Sequence, residues 1–213
     1  VYYNRNNDNE TNTQSLRDFH NLYVKSKLIQ QVSSQNDILI DYSVGKGGDL
    51  SKWIKSKLKF VFGVDISKDN IYNRVDGACS RYLNMKKKYY KMPAALFVSG
   101  DSGQNIRDGS CFHTDKEKQI ANCVFGNGPK DELLLGKGVY KQYGVAESGF
   151  NISSCQFSIH YFFKDAKTLH EFLRNLTECT KVGGYFIATG YDGNKVFNSV
   201  SYTHLRAHET IHY

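Results

Sequence analysis

The sequence predicts one α/β domain in which a parallel sheet carries helices on both faces. Short apolar runs with strand character alternate with longer segments whose apolar residues recur at helical spacing. This alternation is typical of parallel sheets, because each crossover helix packs back onto the sheet. Of the 213 residues, 40% are hydrophobic and 23% are charged, and these values indicate a globular domain.

The expected elements run from an N-terminal helix to a fifth strand. Residues 1–14 are polar and Asn-rich and are expected to form a linker or a disordered arm. A helix capped by Ser15 is expected to follow and to reach Gln31. Strands are expected at 37–41, 59–66, 94–101, within 150–163 and at 183–190. Helices are expected at 49–58, in part of 68–91 and at 166–180.

A long insert, residues 102–149, separates the third strand from the fourth. It is rich in Gly, Lys and Asp, and only residues 115–125 show helical character. A connection of this length is usually functional or mobile.

The composition limits which partners and which cellular compartments we expect for this chain. A net charge of +7 permits a polyanionic partner such as nucleic acid. The apolar runs are too short to span a bilayer and no signal-peptide pattern opens the chain, so we expect no membrane insertion and no secretion. The chain does not begin with Met, which suggests a fragment of a longer protein. An odd number of cysteines without a C-x-x-C pair indicates a reducing compartment: Cys79, Cys111, Cys123, Cys155 and Cys179.

The stretch "IDYSVGKGGDLSKW", residues 40–53, reads as a strand, a glycine turn and a helix. It does not match a P-loop, because no G-K-[ST] ending is present. Gly45 and Gly47 fit the first two positions of a dinucleotide fingerprint, but Leu50 stands where a third small residue is needed. The turn therefore predicts a ligand site without specifying a phosphate.

Polar side chains at the ends of successive strands identify the ligand more closely. Asp65 ends the second strand 20 residues after Gly45, where a carboxylate accepts hydrogen bonds from ribose hydroxyls. Asp101 follows the third strand and is suited to accept from an adenine amino group, while Asp41 and Gln156 lie at two other strand ends. A cofactor with one nucleoside and no phosphate, such as S-adenosylmethionine, fits this pattern. The alternative, in which each acid merely caps a helix or ends a strand, explains any one of them better than all of them together.

Several segments together resemble the mRNA cap (guanine-N7) methyltransferase family, and most closely the methyltransferase part of capping enzymes from large DNA viruses. The segments are "LRDFHNLYVKSKLI", "DYSVGKGGDLSKW", "VDISKDNI", "DGACSRYLN", "SGDS" and "SCQFSIHYFF…FLRNL…VGGYFIATGYDG". The resemblance implies a class I S-adenosylmethionine-dependent methyltransferase (Rossmann-like) domain over residues 15–197, with a truncated C-terminus. It implies transfer of a methyl group to N7 of the cap guanine.

The resemblance also carries residue roles onto matching positions. By resemblance, S-adenosylmethionine would be held by Lys25, Gly45, Asp65, Asp101, Gln156 and Tyr161. The cap guanosine and its triphosphate would be faced by Asn21, Lys46, Lys52, Arg81 and His160. Guanine N7 already carries a lone pair, so we expect positioning only, with no catalytic acid, base or metal ion.

The implied partners are RNA with a GpppN end and other capping-enzyme domains in the same polypeptide. The expected location is the cytoplasm of an infected host or the virion, or the nucleus if the protein is cellular. Two alternatives remain open at this stage. One is a methyltransferase of the same fold with another substrate, and the other is a catalytically dead module that binds RNA or S-adenosylmethionine.

Residues 198–213 do not resemble the strands with which the family continues. They read like translated adapter or vector sequence, and we expect a non-native tail. The tail contains "HETIH", His208 to His212, a formal match to the H-E-x-x-H zinc motif. We interpret it as a false positive, because no room is left downstream for a third ligand.

Overall fold

The computed structural model of the protein describes residues 14–198. The expected arm, apart from residue 14, lies outside the described residues. So does the expected tail from residue 199 onward, with its H-E-x-x-H match.

The described residues form a five-stranded sheet in which all strands run parallel, in the order β3-β2-β1-β4-β5. The strands are β1 (Ile38–Asp41), β2 (Phe60–Asp65), β3 (Ala94–Ser99), β4 (Phe150–Gln156) and β5 (Thr180–Thr189). The five strand predictions are confirmed, with ends that differ by up to three residues. Because the strands are parallel, all their carboxyl ends lie on one edge of the sheet, which we call the rim.

The chain enters through one helical stretch with three successive segments. They are α1 (Gln14–Asp18), a π-helical turn (Phe19–Val24) and α2 (Lys25–Val32). The predicted helix is therefore confirmed, but the predicted cap is wrong, because Ser15 already lies inside the first helical turn. A π-helical turn is rare and is frequently found at functional sites.

The remaining helices lie between the strands; two short ones in the insert, at 132–135 and 137–140, were not predicted. These remaining helices are α3 (Leu50–Lys55), α4 (Lys68–Tyr72), α5 (Ala78–Lys86), α6 (Asp115–Val124), α7 (Glu132–Leu135), α8 (Lys137–Tyr140), a 3₁₀ turn (Ile159–Phe163) and α9 (Ala166–Cys179). Gly77 separates α4 from α5, which explains why residues 68–91 showed only partial helical character.

Two hydrophobic cores lie on opposite faces of the sheet. Ile38 and Ile40 of β1 point into the core that α6, α9 and the insert cover. Leu39, between them, points into the core that α2, α3, α4 and α5 cover. This alternation follows from the two-residue period of a strand and confirms that helices cover both faces.

The insert is folded rather than extended. A capping box between Thr114 and Glu117 starts α6, and Phe112, Val124 and Phe125 join the core on that face. Within residues 14–198, no helix is both long enough and apolar enough to cross a membrane.

Candidate functional site

The glycine turn after β1 lies against the acid at the end of β2. The backbone N–H of Gly45 donates to Oδ2 of Asp65 at 2.8 Å. Gly45 and Gly47 have φ values of +54° and +71°, which side chains rarely tolerate. A Cβ added to Gly45 would have no atom within 4 Å. The turn therefore leaves open space directly beside the β2 acid.

Asp65 is also held by the chain that follows it. Its Oδ1 accepts from the backbone N–H of Ser67 and from Nδ2 of Asn70, both at 3.0 Å. A carboxylate offers about four acceptor positions, so three chain contacts leave about one for a ligand hydroxyl. The sequence predicts that Asp65 accepts from ribose hydroxyls. With about one acceptor position left, two hydroxyls would have to share it.

Asp41, at the end of β1, is almost completely buried, with 2% of its surface exposed. Burial, reinforced by the nearby negative charge of Asp49, raises the pKa of Asp41 from 3.8 to about 7. The Asp65 charge raises it further, while the Ser43 N–H and the Lys25 ammonium oppose the shift. Several carboxylates thus lie close together beneath the turn.

Asp49 joins two lysines in a buried charge network. Its carboxylate lies 2.7 Å from Nζ of Lys52 and 3.4 Å from Nζ of Lys25. Nζ of Lys52 also donates to the Asn21 side chain at 3.1 Å and to the Gly48 carbonyl at 3.3 Å. The network connects the π-helical turn and α2 to α3.

This network changes the interpretation of Lys52. The residue was expected to face the cap, with a solvated helix charge as the plain alternative, yet only 3% of its surface is exposed. Its ammonium donates to Asn21 and Gly48 and lies 2.7 Å from the Asp49 carboxylate, so its charge is already paired inside the fold. In this structure Lys52 therefore stabilises the buried network of Asn21, Lys25, Asp49 and Lys52, which we call the floor of the site.

Phe157, directly after β4, joins the N-terminal helices to the rim. Its φ of +58° is unusual for a bulky residue and marks a strained position. Nζ of Lys25 lies 5.3 Å from the centre of its ring, and the His20 ring meets it edge-on at 5.5 Å. Lys25 is thus held between Asp49 and an aromatic face.

The other predicted cofactor residues lie at the ends of β3 and β4. Asp101 follows β3, and its Oδ1 accepts from the N–H of Gly103 at 2.8 Å. Gln156 is buried at the end of β4, where its Oε1 accepts from the Thr189 hydroxyl at 3.0 Å. Tyr161 lies in the 3₁₀ turn after β4 and is 54% exposed.

The resemblance places Lys46 and Arg81 at the cap triphosphate. In the structure they lie on the outer side of the glycine turn, and we call their contacts there the clasp. Nζ of Lys46 donates to both carboxylate oxygens of Asp76, at 2.9 and 2.8 Å, and lies 3.4 Å from Asp69. Nη1 of Arg81 donates to the Lys46 carbonyl at 3.0 Å. The pKa of Lys46 is raised, mainly by its hydrogen bonds to Asp76.

His160 lines a cleft of about 460 Å³ beyond β4 and β5. Its ring centre lies 4.2 Å from that of Tyr161 and 5.4 Å from that of Tyr191. Nδ1 of His160 is buried and has no hydrogen-bond partner among the described residues. The cleft is completed by Gly193, Val196 and Phe197.

Gly45 and Asp65 are thus in direct contact, and Lys25 joins the floor of the site through Asp49. Asn21 and Lys52 belong to that floor. Lys46 and Arg81 lie on the outer side of the turn, and His160 belongs to the separate cleft.

Sequence reasoning missed Asp49, Phe157 and Tyr191. Asp49 stands inside the quoted "GKGGDL", so its place in the turn was the available signal.

The comparison with known protein families gives one match over nearly the whole chain. A model of the mRNA (guanine-N(7))-methyltransferase domain matches residues 2–211. A probable mRNA-capping enzyme from Acanthamoeba polyphaga mimivirus is 29% identical over 99% of this chain and 17% of its own length. The mRNA cap guanine-N(7) methyltransferase 1 of Arabidopsis thaliana is 26% identical over 84% of this chain and 40% of its own length. The chain therefore spans less than half of each of these relatives.

A solved structure supports the fold. The PH0226 protein from Pyrococcus horikoshii OT3 superposes with a TM-score of 0.52 and 16% identity, over 89% of this chain and 65% of that protein. Together with the parallel strand order, the likeness confirms the predicted Rossmann-like α/β fold, a parallel sheet with helices on both faces. The order of elements, the rim and the match from residue 2 to residue 211 lead to one conclusion: the chain belongs to the mRNA (guanine-N(7))-methyltransferase domain family.

Proposed function

We propose that this chain transfers the methyl group of S-adenosylmethionine to N7 of the guanine in the mRNA cap, as one part of a capping enzyme of the viral type. The observation that supports this most directly is the 2.8 Å contact between Gly45 N–H and Asp65, which joins the glycine turn to the β2 acid. The family match supports the reaction, and the rim supports a nucleoside ligand. Its substrate is RNA with a GpppN end, and its partners are the other capping domains of the same polypeptide, acting in the cytoplasm of an infected cell.

The rim suits a nucleoside that carries no phosphate. The open space at Gly45 lies beside the remaining acceptor position of Asp65, which we assign to a ribose hydroxyl. Oδ2 of Asp101, which has no hydrogen-bond partner within residues 14–198, is assigned to the adenine amino group. The Lys25 ammonium, fixed by Asp49, is assigned to the cofactor's carboxylate. Gln156 and Tyr161 would border the same ligand.

S-adenosylmethionine, when bound, supplies a methyl group on a positively charged sulfur. Guanine N7 attacks with its own lone pair, so no side chain has to remove a proton. The chain's contribution is to align donor and acceptor, which supplies roughly 7–11 kcal/mol in favourable cases. The carboxylate of Asp65, which has no ion-pair partner among the described residues, adds a negative potential that favours a cationic ligand.

We assign the guanine base to the cleft that His160 and Tyr191 line. Flat aromatic rings suit a purine, and a cleft of about 460 Å³ is within the usual range for small-ligand sites. Lys46 and Arg81, outside the glycine turn, provide positive charge along a path for the triphosphate. Lys52 and Asn21 support the floor from below.

The test is incubation of the protein with methyl-labelled S-adenosylmethionine and a short RNA with a GpppA end. Nuclease digestion followed by chromatography is expected to yield labelled m7GpppA. RNA that already carries an N7-methylated cap is the matched control and is expected to accept no label.

Calorimetry with S-adenosylhomocysteine measures cofactor binding separately. Asp65→Asn is expected to weaken this binding by about 30-fold, because a charged acceptor is lost.

The outcomes separate the possible functions. Binding of S-adenosylhomocysteine without methyl transfer to any RNA would indicate a catalytically dead module. Label at another position of the RNA would indicate a methyltransferase with a different substrate. Either result contradicts the proposed function.

A further inference from the structure

The loop that carries Asp101 is held by a buried amide from a distant helix. Asn175, in α9, has 0% of its surface exposed. Its Oδ1 accepts from the backbone N–H of Ile106 at 2.8 Å, and its Nδ2 donates to the carbonyls of Ser102 and Gln104 at 3.0 and 2.7 Å. One side chain therefore fixes three points of the loop directly after Asp101.

The insert holds the other side of Asp101. The backbone N–H of Asp101 donates to the Cys111 carbonyl at 2.8 Å, and Gly100 pairs with Phe112 in an antiparallel bridge. A Cβ added to Gly100 would lie 2.8 Å from Sγ of Cys111 and 2.9 Å from Cδ1 of Phe112. The chain thus approaches the insert so closely that no side chain fits between them.

A third contact ties the loop to the centre of the rim. The Ser102 hydroxyl donates to the Tyr42 carbonyl, one residue past β1, at 2.8 Å. Within Asp101 itself, Oδ1 is fixed by the N–H of Gly103 at 2.8 Å. Because Oδ1 is fixed, the direction of Oδ2 depends on the position of this loop.

We propose that Asn175 is a positioning residue for adenine recognition, which holds the loop after β3 so that Oδ2 of Asp101 faces the adenine amino group. The inference rests on the proposed function, in which Asp101 takes that amino group. Loss of the Asn175 amide would leave two carbonyls and one N–H of the loop unpaired in a buried place. The loop would have to move to find water or other partners, and Asp101 would move with it.

Two ligands that differ only at the base edge test this directly. S-adenosylhomocysteine presents an amino donor at C6 of the purine, whereas S-inosylhomocysteine presents an acceptor oxygen. The wild-type protein is expected to prefer the adenosine compound by about tenfold or more, because a carboxylate repels the oxygen. Asn175→Ala is expected to reduce this ratio to within about threefold. Calorimetry with both ligands measures the ratio.

Further variants separate positioning from general stability. Asn175→Asp keeps the acceptor for Ile106 N–H, loses both donors, and is expected to lower the ratio as well. Ser102→Ala removes a single hydroxyl and one hydrogen bond from the same loop. It carries the test if the Asn175 variants do not fold. Tyr143→Phe is the control, since it removes hydrogen bonds to the Gly126 and Gly128 carbonyls elsewhere in the insert, and its ratio is expected to match wild type.

A preserved preference for adenosine in a folded Asn175 or Ser102 variant overturns the inference, even if its melting temperature falls. Failure of the cofactor assignment on which this inference rests, in which Asp101 takes the adenine amino group, has a different signature. In that case the wild-type protein itself either does not bind S-adenosylhomocysteine or does not distinguish the two ligands.

Discussion

Strands β2 and β5 have similarly apolar sequences but very different surroundings. All six residues of β2, "FVFGVD", are buried. In β5, "TKVGGYFIAT", only Ile187 is buried, while Tyr185 is 55% exposed and Val182 is fully exposed. An apolar strand sequence therefore predicts that a segment enters the sheet, but not that it will be covered.

The difference arises from the neighbours of each strand. β2 lies between β1 and β3 and contributes to both hydrophobic cores. Among the described residues, β5 pairs only with β4, so one edge and much of its surface remain open. The candidate site shows the same contrast, because the acids beside β1 and β2 are buried and bonded, whereas Tyr191 in the cleft beyond β5 is 71% exposed.

Truncating one aromatic residue in each strand gives the largest expected difference. Phe62→Ala in β2 is expected to lower the free energy of unfolding by about 4 kcal/mol, because it leaves a cavity in a packed core. Tyr185→Ala in β5 is expected to cost less than about 1 kcal/mol, since half of the side chain already contacts water. Urea denaturation measures both. Equal losses would mean that β5 is covered in solution.

The elements and the rim could be predicted because they follow local rules. Strand-to-helix alternation fixes a parallel sheet, and a parallel sheet brings all carboxyl ends to one edge, so Asp65 and Gly45 meet although 20 residues separate them. The burial of Lys52 had no comparable signal. It depends on Asn21, 31 residues earlier, and on the path of the first helical stretch.

Asn175 was missed for a similar reason. Its three partners lie about 70 residues earlier, in an insert whose fold the sequence pattern did not predict. A polar residue inside an amphipathic helix normally indicates the solvent face, whereas here it satisfies buried backbone groups. Only the packing of α9 against the insert shows this role.

Breaking the buried charge network is expected to cost nearly as much as the cavity in β2. Lys52→Met leaves the Asp49 carboxylate with one distant lysine partner at 3.4 Å and is expected to destabilise the fold by about 3 kcal/mol. Lys55→Met, an exposed residue of the same helix, is the matched control and is expected to change stability by less than about 0.5 kcal/mol. Thermal and urea unfolding compare the two. A Lys52→Met protein as stable as the control would contradict the buried network.

The pH dependence of the free energy of unfolding is expected to show the raised pKa of Asp41. Because burial raises the pKa of Asp41 from 3.8 to about 7, the folded chain keeps a proton in this range that the unfolded chain has already lost. The free energy of unfolding therefore falls as pH rises from about 4 to about 7, and about 2–3 kcal/mol of that loss lies above pH 5. Asp41→Asn removes this contribution, so its stability relative to wild type is expected to rise between pH 5 and pH 8.

Asp192→Asn is the control for that measurement, since Asp192 is exposed beyond β5. Its free energy of unfolding is expected to change with pH in the same way as that of the wild-type protein. A parallel profile for Asp41→Asn would show that the β1 acid is already ionised at low pH in the folded state.

The smallest expected effect concerns the clasp outside the glycine turn, where the Lys46–Asp76 pair is exposed to solvent. Asp76→Asn removes a bidentate partner of Lys46, while Asp69 at 3.4 Å retains part of the contact. Exposed ion pairs contribute little, so we expect affinity for S-adenosylhomocysteine to fall by only about two- to threefold. In a Lys46→Met background, Asp76→Asn is expected to cause no further loss, because both changes act on one interaction. Additive losses in that double-mutant cycle would mean that Asp76 acts on the site independently of Lys46.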